Sequence, residues 1–361
     1  MEGSHLAVVD FTFRRYRPED FEEYAAVYQA VYGKRIDEAF FQWKNLKNPA
    51  LAGEALIYLA LSGGRIIGAN SFFPSILAYQ GQTYRAVQSG DTMVLASHRG
   101  QGIFQKILKY AAEDLKAEGY AAIYGYANGN SYPGFLKFGF SDLGRVNIHY
   151  RILNWRGFLA NRGNAWGAAG WALDQELQLF GLLGAWGRRG YTVSLLDFRY
   201  DAIPQSLEEF LERAVRNPNF DPYVRLLKNR AYLAWKYRDK PAAEYQVLAV
   251  YQDGELAGVL FLRLDKHGEE KAGEIVECFV HDSGQARAIM GAALEFLRKD
   301  KFAFVKMWDP NQEAVKKGLK GNFFIKRKVA LYFIVKVLQG GLDFLTERRV
   351  WLISGGDADT A

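Results

Sequence analysis

A basic, glycine-containing turn, Arg99-Gly100-Gln101-Gly102, is the stretch of this sequence best suited to chemistry on a phosphate. Gly100 and Gly102 lack a Cβ, so the backbone there can turn tightly and bring several N–H groups close to a ligand. The apolar spacing that follows, Ile103, Ile107, Ala111 and Leu115, predicts a helix. Its N-terminus would add positive potential at the same point, which makes a phosphate or pyrophosphate the natural occupant. A glycine-rich turn that joins a strand to a helix with nothing bound is the competing account, and the turn alone does not separate the two.

The elements around the turn follow from composition and period. Phe11-Thr12-Phe13 reads as a strand. Pro18 and the first-turn acids open a helix from about Phe21 to Tyr32, and a second helical pattern, Asp37 to Leu46, stops at Asn48-Pro49. From Ala55 the period changes to that of a β-hairpin closing at Ser62-Gly63-Gly64. Two further strands, Ser75–Tyr79 and Tyr84–Leu95, flank Gly81-Gln82. Beyond the Ile103–Glu118 helix, Gly119 serves as its cap, and Tyr120–Ala127 is a strand whose crossover connection implies parallel pairing. The order up to about Leu153 is β-α-α-β-β-β-α-β-α-β, an α/β (α+β) fold.

In these residues the chain resembles the GCN5-related N-acetyltransferase (GNAT) superfamily. Arg99, Gly100 and Gly102 match its R-G-x-G turn, preceded by a strand at Asp91–Leu95. Asn128 and Phe138-Gly139-Phe140 match its later signature, so the likeness covers residues 10 to 150. It implies a mixed, mostly antiparallel sheet with a splayed centre, flanked by helices. It also implies that the pyrophosphate of an acyl-CoA is held at Arg99, Gly100, Gln101, Gly102, Ile103 and Phe104. The last of these stands where many members carry a small residue. The strand at Met93, Val94 and Leu95 would supply a backbone N–H to the thioester oxygen. Asn128 would hold the pantetheine arm or the splayed strand, a turn-forming Asn being the alternative.

Acyl transfer from a thioester to an amine needs a neutral amine, a polarised carbonyl and a proton for the departing thiolate. Asp91 is the nearest carboxylate to deprotonate the amine, directly or through water; the alternative is a strand-end residue capping a loop. Phe135 occupies the position where the family often has a Tyr. Tyr132, one helical turn earlier, can present a hydroxyl to the sulfur from the same face. Tyr124 and Tyr126 are lesser candidates.

The second half echoes the first. Trp43-Lys44 followed by Pro49 recurs as Trp235-Lys236 followed by Pro241, and the hairpin at Leu56–Ala69 lines up with that at Gln246–Val259, with Gly64 and Gly254 coincident. Asn128 to Gly139-Phe140 echoes Asn311 to Gly321-Asn322-Phe323. Two tandem GNAT-like domains are therefore expected: residues 1–160 binding acyl-CoA and 191–361 as a degenerate copy. An amphipathic connecting helix over 161–190 would carry Trp166, Gly170, Leu173, Leu177 and Phe180 on one face. In place of the basic turn the second copy has His281-Asp282-Ser283-Gly284-Gln285-Ala286, and an acid at Asp282 would repel a pyrophosphate, so no CoA is expected there.

Composition narrows the field. The chain has 361 residues, 49% of them hydrophobic, enough for a sizeable core and two domains. Its formal charge of +6 is dispersed among 40 acidic residues with no block of five like charges, so nucleic acid need not be invoked. The lone Cys278 excludes an intramolecular disulfide and a zinc-type cluster, the histidines show no ligand spacing, and no metal is expected. The 161–190 stretch is interrupted by Asp174 and Glu176, short of the roughly 20 apolar residues a bilayer requires. The first residues lack a secretory pattern, which points to the cytoplasm. The expected activity is acetyl transfer from acetyl-CoA to a primary amine of a small polar acceptor, such as an amino sugar. A non-catalytic acyl-CoA-binding scaffold and an aminoacyl-tRNA-dependent peptidyl transferase-like protein are the alternatives.

Overall fold

The computed structural model describes residues 11–159, 190–196, 207, 209–210, 213, 222–267, 270–280 and 284–358. The connecting helix expected over 161–190 falls, but for Gly190, outside the described residues, as do His281, Asp282 and Ser283. The chain divides into two compact units. One comprises Met1–Leu77, Thr83–Gly144 and Leu331–Glu347; the other comprises Ala78–Gln82, Arg145–Ala330 and Arg348–Ala361.

The first unit runs β1 (Phe11–Arg15), α1 (Phe21–Tyr32), α2 (Glu38–Asn45), β2 (Ile57–Ser62), β3 (Arg65–Tyr79), β4 (Gln82–Val94), α3 (Ile103–Ala117), β5 (Ala122–Asn128) and α4 (Tyr132–Lys137), and leads into β6 (Ser141–Ile152). The expected order of elements is present. Asp37 caps α2 by accepting from the Phe40 N–H, and Gly33, at φ 77°, ends α1 in the left-handed region that glycine enters freely. One expectation needs correcting: Ser75–Tyr79 is not a strand of its own but the end of β3, which passes through Pro74. Proline costs a strand only its N–H. Here Pro74 accepts at its carbonyl from the Asn48 side-chain amide at 3.0 Å, within a run buried from Ile66 to Ser75. Burial overrides the local breaker.

Strand β2 shows how the sheet is covered. Its alternate residues Ile57, Leu59 and Leu61 join Tyr24, Val27 and Phe41 of α1 and α2 in one core cluster. The residues between them, Tyr58 and Ala60, join Ile103, Ile107, Ala111 and Leu115 of α3 in another. Period-two alternation thus sends one strand into two cores, which is why β2 reads as an unbroken apolar run.

The sheet order in this unit is β1-β2-β3-β4-β5, with β5 bordered by Leu331–Val337 of β13 (Ile325–Val337). Strands β4 and β5 are parallel and registered only from Ala86↔Ala122 to Ser89↔Gly125. Beyond that pair β4 continues to Val94, while β5 continues to Asn128 against β13. The sheet therefore opens at its centre, directly before the Arg99–Gly102 turn.

The second unit repeats the plan. Strands β9 (Tyr245–Gln252), β10 (Glu255–His267) and β11 (Glu270–Val280), helix α7 (Ala286–Lys299), β12 (Phe302–Trp308), α8 (Glu313–Gly321) and β13 reproduce the order from β2 to β6. Ahead of them lie α5 (Trp155–Leu159), β7 (Tyr191–Leu196), β8 (Arg225–Leu226) and α6 (Arg230–Leu233). Strand β11 is antiparallel to β10 and parallel to β12, and β12 is bordered by Ile148–Ile152 of β6. The closing strand beside β5 thus comes from the end of the chain, and that beside β12 comes from its first half.

Candidate functional site

The opening in the first unit is prepared by one misfit residue. Asp91 sits within β4 at φ 46°, a left-handed conformation that Asp tolerates better than most residues. After it, the Leu95 N–H donates to the Ile67 carbonyl on β3 at 2.9 Å. Successive residues alternate, so the Val94 N–H faces the opposite edge, toward the opening beside β5. The Val94 carbonyl accepts from Arg99 Nε at 3.2 Å, which lays the exposed guanidinium across the same edge. Met93 is fully buried and belongs to the core beneath, and Leu95 packs between both clusters.

The turn has the conformation its glycines allow. Gly100 and Gly102 lie at φ 80° and 70°, both exposed, and Gly102 is the N-cap of α3 with no side-chain cap. The first bond within α3 runs from the Lys106 N–H to the Gly102 carbonyl at 3.1 Å, so the amides of Ile103, Phe104 and Gln105 are the helix's open donors. A 15-residue helix adds its dipole there. Only the amide of Phe104 serves the turn, because its ring packs edge-on against Phe135 at 5.0 Å. A Cβ on Gly134 would lie 2.7 Å from that ring, so Gly134 is what admits it. Phe135 itself is buried against Phe140, inside the core.

At the other side of the opening, Asn128 ends β5. Its Oδ1 accepts from the Asn130 and Ser131 N–H groups at 3.0 and 3.1 Å, which holds the turn into α4. The Tyr132 ring stacks on Tyr332 at 4.0 Å, and its hydroxyl donates to Asp142 Oδ2 at 2.7 Å. The Asp91 carboxylate accepts from Lys44 Nζ at both oxygens, 2.9 and 2.8 Å away. Only 4% of the Lys44 side chain and 11% of the Asp91 side chain are exposed. The same ammonium lies 4.6 Å above the Phe73 ring. Burial, with the Asp91 charge next in importance, pushes the Tyr24 hydroxyl well above its usual range, so it is a neutral hydrogen-bonding group paired with Ser71. Sequence reasoning missed Lys44, Asp142 and Tyr332 as partners. Lys44 had left a trace, since it lies in the Trp-Lys pair that recurs in the second half.

The donor set fits an acyl-CoA. Open helix amides, two exposed left-handed glycines and an arginine suit a diphosphate, and the parted strands offer one unshared edge to a linear arm. Among the described residues no group of His, Cys, Asp and Glu is placed to hold a metal ion, and no helix is long and apolar enough to cross a membrane.

Comparison with known proteins agrees with this geometry. Residues 12–142 match the model of the acetyltransferase (GNAT) domain family. No protein of curated function matches the chain. Among solved structures, a conserved protein of unknown function from Enterococcus faecalis V583 aligns with a TM-score of 0.64 at 12% identity, covering 91% of this chain and 72% of the other. A GCN5-related N-acetyltransferase from Anabaena variabilis aligns with a TM-score of 0.62 at 8% identity, covering 91% and 73%. One from Kribbella flavida aligns with a TM-score of 0.56 at 10% identity, covering 91% and 71%. At these identities the structures speak for the fold. The opening, the glycine turn and the family match fall on the same segment, and over residues 12–142 the chain is similar to the acetyltransferase (GNAT) domain family.

Proposed function

We propose that this protein transfers an acyl group, most simply acetyl, from acyl-CoA to the primary amine of a small polar acceptor such as an amino sugar. The observation that carries the reading is the turn: exposed Gly100 and Gly102 at positive φ, beside Arg99, at the uncapped start of α3. Arg99 and the amides from Gly100 through Phe104 would hold the diphosphate, and the Asn128 turn would border the pantetheine arm. The thioester supplies the activated acyl carbon. The Val94 N–H would polarise its carbonyl from the edge that β5 leaves open. Asp91, oriented by Lys44, is assigned the acceptor amine, directly or through one water. Tyr132 is assigned the proton for the leaving sulfur, which its hydroxyl delivers by turning from Asp142 Oδ2 toward the thiolate; the tyrosinate then regains a proton from water. We place the activity in the cytoplasm, and we assign the degenerate copy at 191–361 no CoA.

Calorimetry with CoA and acetyl-CoA, followed by CoA release over a panel of amines, tests the reading. Saturable binding with turnover of at least one amine is expected. Tight binding without turnover on any amine would instead make the protein an acyl-CoA-binding scaffold. Absence of CoA binding would end the acyl-CoA reading and return attention to aminoacyl-tRNA as donor.

A further inference from the structure

The second unit opens its sheet as the first does. The last parallel pair joining β11 to β12 is Ile275↔Met307, yet β11 runs on to Val280. Two residues past that pair stands Glu277, just as Asp91 stands two residues past Ser89↔Gly125. The furnishing differs. Glu277 accepts from Lys228 at 2.7 Å and from the Tyr237 hydroxyl at 2.6 Å. Lys228 also pairs with Asp357 at 2.6 Å and donates to the Ser354 hydroxyl at 2.9 Å. Asp357 ends, and Ser354 caps, a turn at Gly355–Asp357, near the end of the described chain, that is packed into the opening. A Cβ at Gly356 would overlap the Tyr237 hydroxyl and the Glu277 carboxylate, so only glycine passes there.

Beside this latch lies a cavity of about 100 Å³, walled by Cys278, Met307, Val315 and Leu352 among others. Its charged lining is Arg225 and Lys228 against Glu277 and Asp357, two cations and two carboxylates. We propose that this cavity is a ligand site of the second unit, and that it takes an uncharged small molecule with an aliphatic body of about four to six carbons. An engineered apolar cavity of about 150 Å³ holds a benzene ring, and this one is somewhat smaller. Its walls favour aliphatic burial. A charged ligand would give up its hydration among groups whose charges already balance, whereas an alcohol or amide needs only a hydrogen bond, for which the Ser354 hydroxyl and Gln312 stand on the lining. The site is independent of how the first unit is read.

Methionine methyl NMR on the full chain tests it. The chain has four methionines; Met307 lines the cavity, and Met93 lies on β4 of the first unit. Titration with 1-alkanols from propanol to octanol should shift Met307 saturably and leave Met93 in place. Affinity should rise about fourfold per methylene until the cavity is full, then level off. Hexanoate and hexylamine should bind at least about tenfold more weakly than hexanol, since each brings an unmatched charge. Val315→Phe, which fills the space from α8, should abolish the shift while the other methyl signals hold their positions; Cys278→Ile is the second filling variant. A Met307 signal that never moves, a response without dependence on chain length, or equal binding of the charged congeners would overturn the proposal.

Discussion

Breaking the Lys44–Asp91 pair is the most direct test of how the first unit is built. Lys44→Met keeps the length and apolar stem of the side chain and removes the ammonium that both Asp91 oxygens contact at 2.8 and 2.9 Å. Removing one partner of a buried pair typically costs about 3–5 kcal/mol, because the other charge stays buried without a counter-ion. Asp91 retains 11% of its side-chain surface, so the lower end, about 3 kcal/mol, is expected. In a unit of this size that lowers the midpoint of its thermal transition by roughly 6–12 °C. Adding Asp91→Asn should recover more than half of the loss, because the orphaned charge goes with it. Thermal and urea unfolding of the single and double variants, read by circular dichroism and fluorescence, complete the cycle. A loss below about 1 kcal/mol for Lys44→Met, or strict additivity of the two substitutions, would show that the pair is solvated and does not hold Asp91 in place.

Gly102→Asp should lower CoA affinity at least about fivefold, since one like-charge pair at contact costs between about 1 and 4 kcal/mol depending on solvation; Gly284→Asp should leave calorimetric affinity unchanged. Gly33→Ala and Gly102→Ala both force a side chain into left-handed backbone, at φ 77° and 70°, so each should cost about 1–2 kcal/mol of stability while only the second touches CoA binding. Burial pushes the Asp309 carboxyl upward, but the His149 imidazole 3.4 Å away and a hydrogen bond from Lys326 at 2.7 Å outweigh it and bring the group down to about 2. Its folded-state value is depressed, so it stabilises the second unit above about pH 4 and that contribution is lost as pH falls toward 2; Asp309→Asn should flatten the acid limb of the stability profile over that window. Burial, with Glu277 beside it, pushes the Cys278 thiol up to about 12, so native protein at pH 8 should resist iodoacetamide for hours and label at once in denaturant, as followed by mass spectrometry.

Much of this molecule is legible along the chain because the deciding physics is local. The glycines of the Arg99–Gly102 turn, the period of α3, the helix beginning near Asp37 and the two hairpins need only near neighbours to form. The repeat of Trp43-Lys44 as Trp235-Lys236 is also visible along the chain, where the order of elements from β2 to β6 recurs from β9 to β13. What sequence spacing leaves open is decided by packing across the sheet. Ser75–Tyr79 reads as a strand of its own, but a strand buried on both faces carries on through Pro74. Asp91 reads as a lone carboxylate until α2 brings Lys44 against it, and Tyr132 as a lone phenol until Asp142 and Tyr332 close on it. The strand that completes each sheet comes from the other half of the chain, and residues 354–357 enter the opening of the second unit, because register and burial reward partners without regard to their distance in sequence. Spacing along a chain fixes which groups can form a turn or a helix face; only the folded sheet fixes which charges meet.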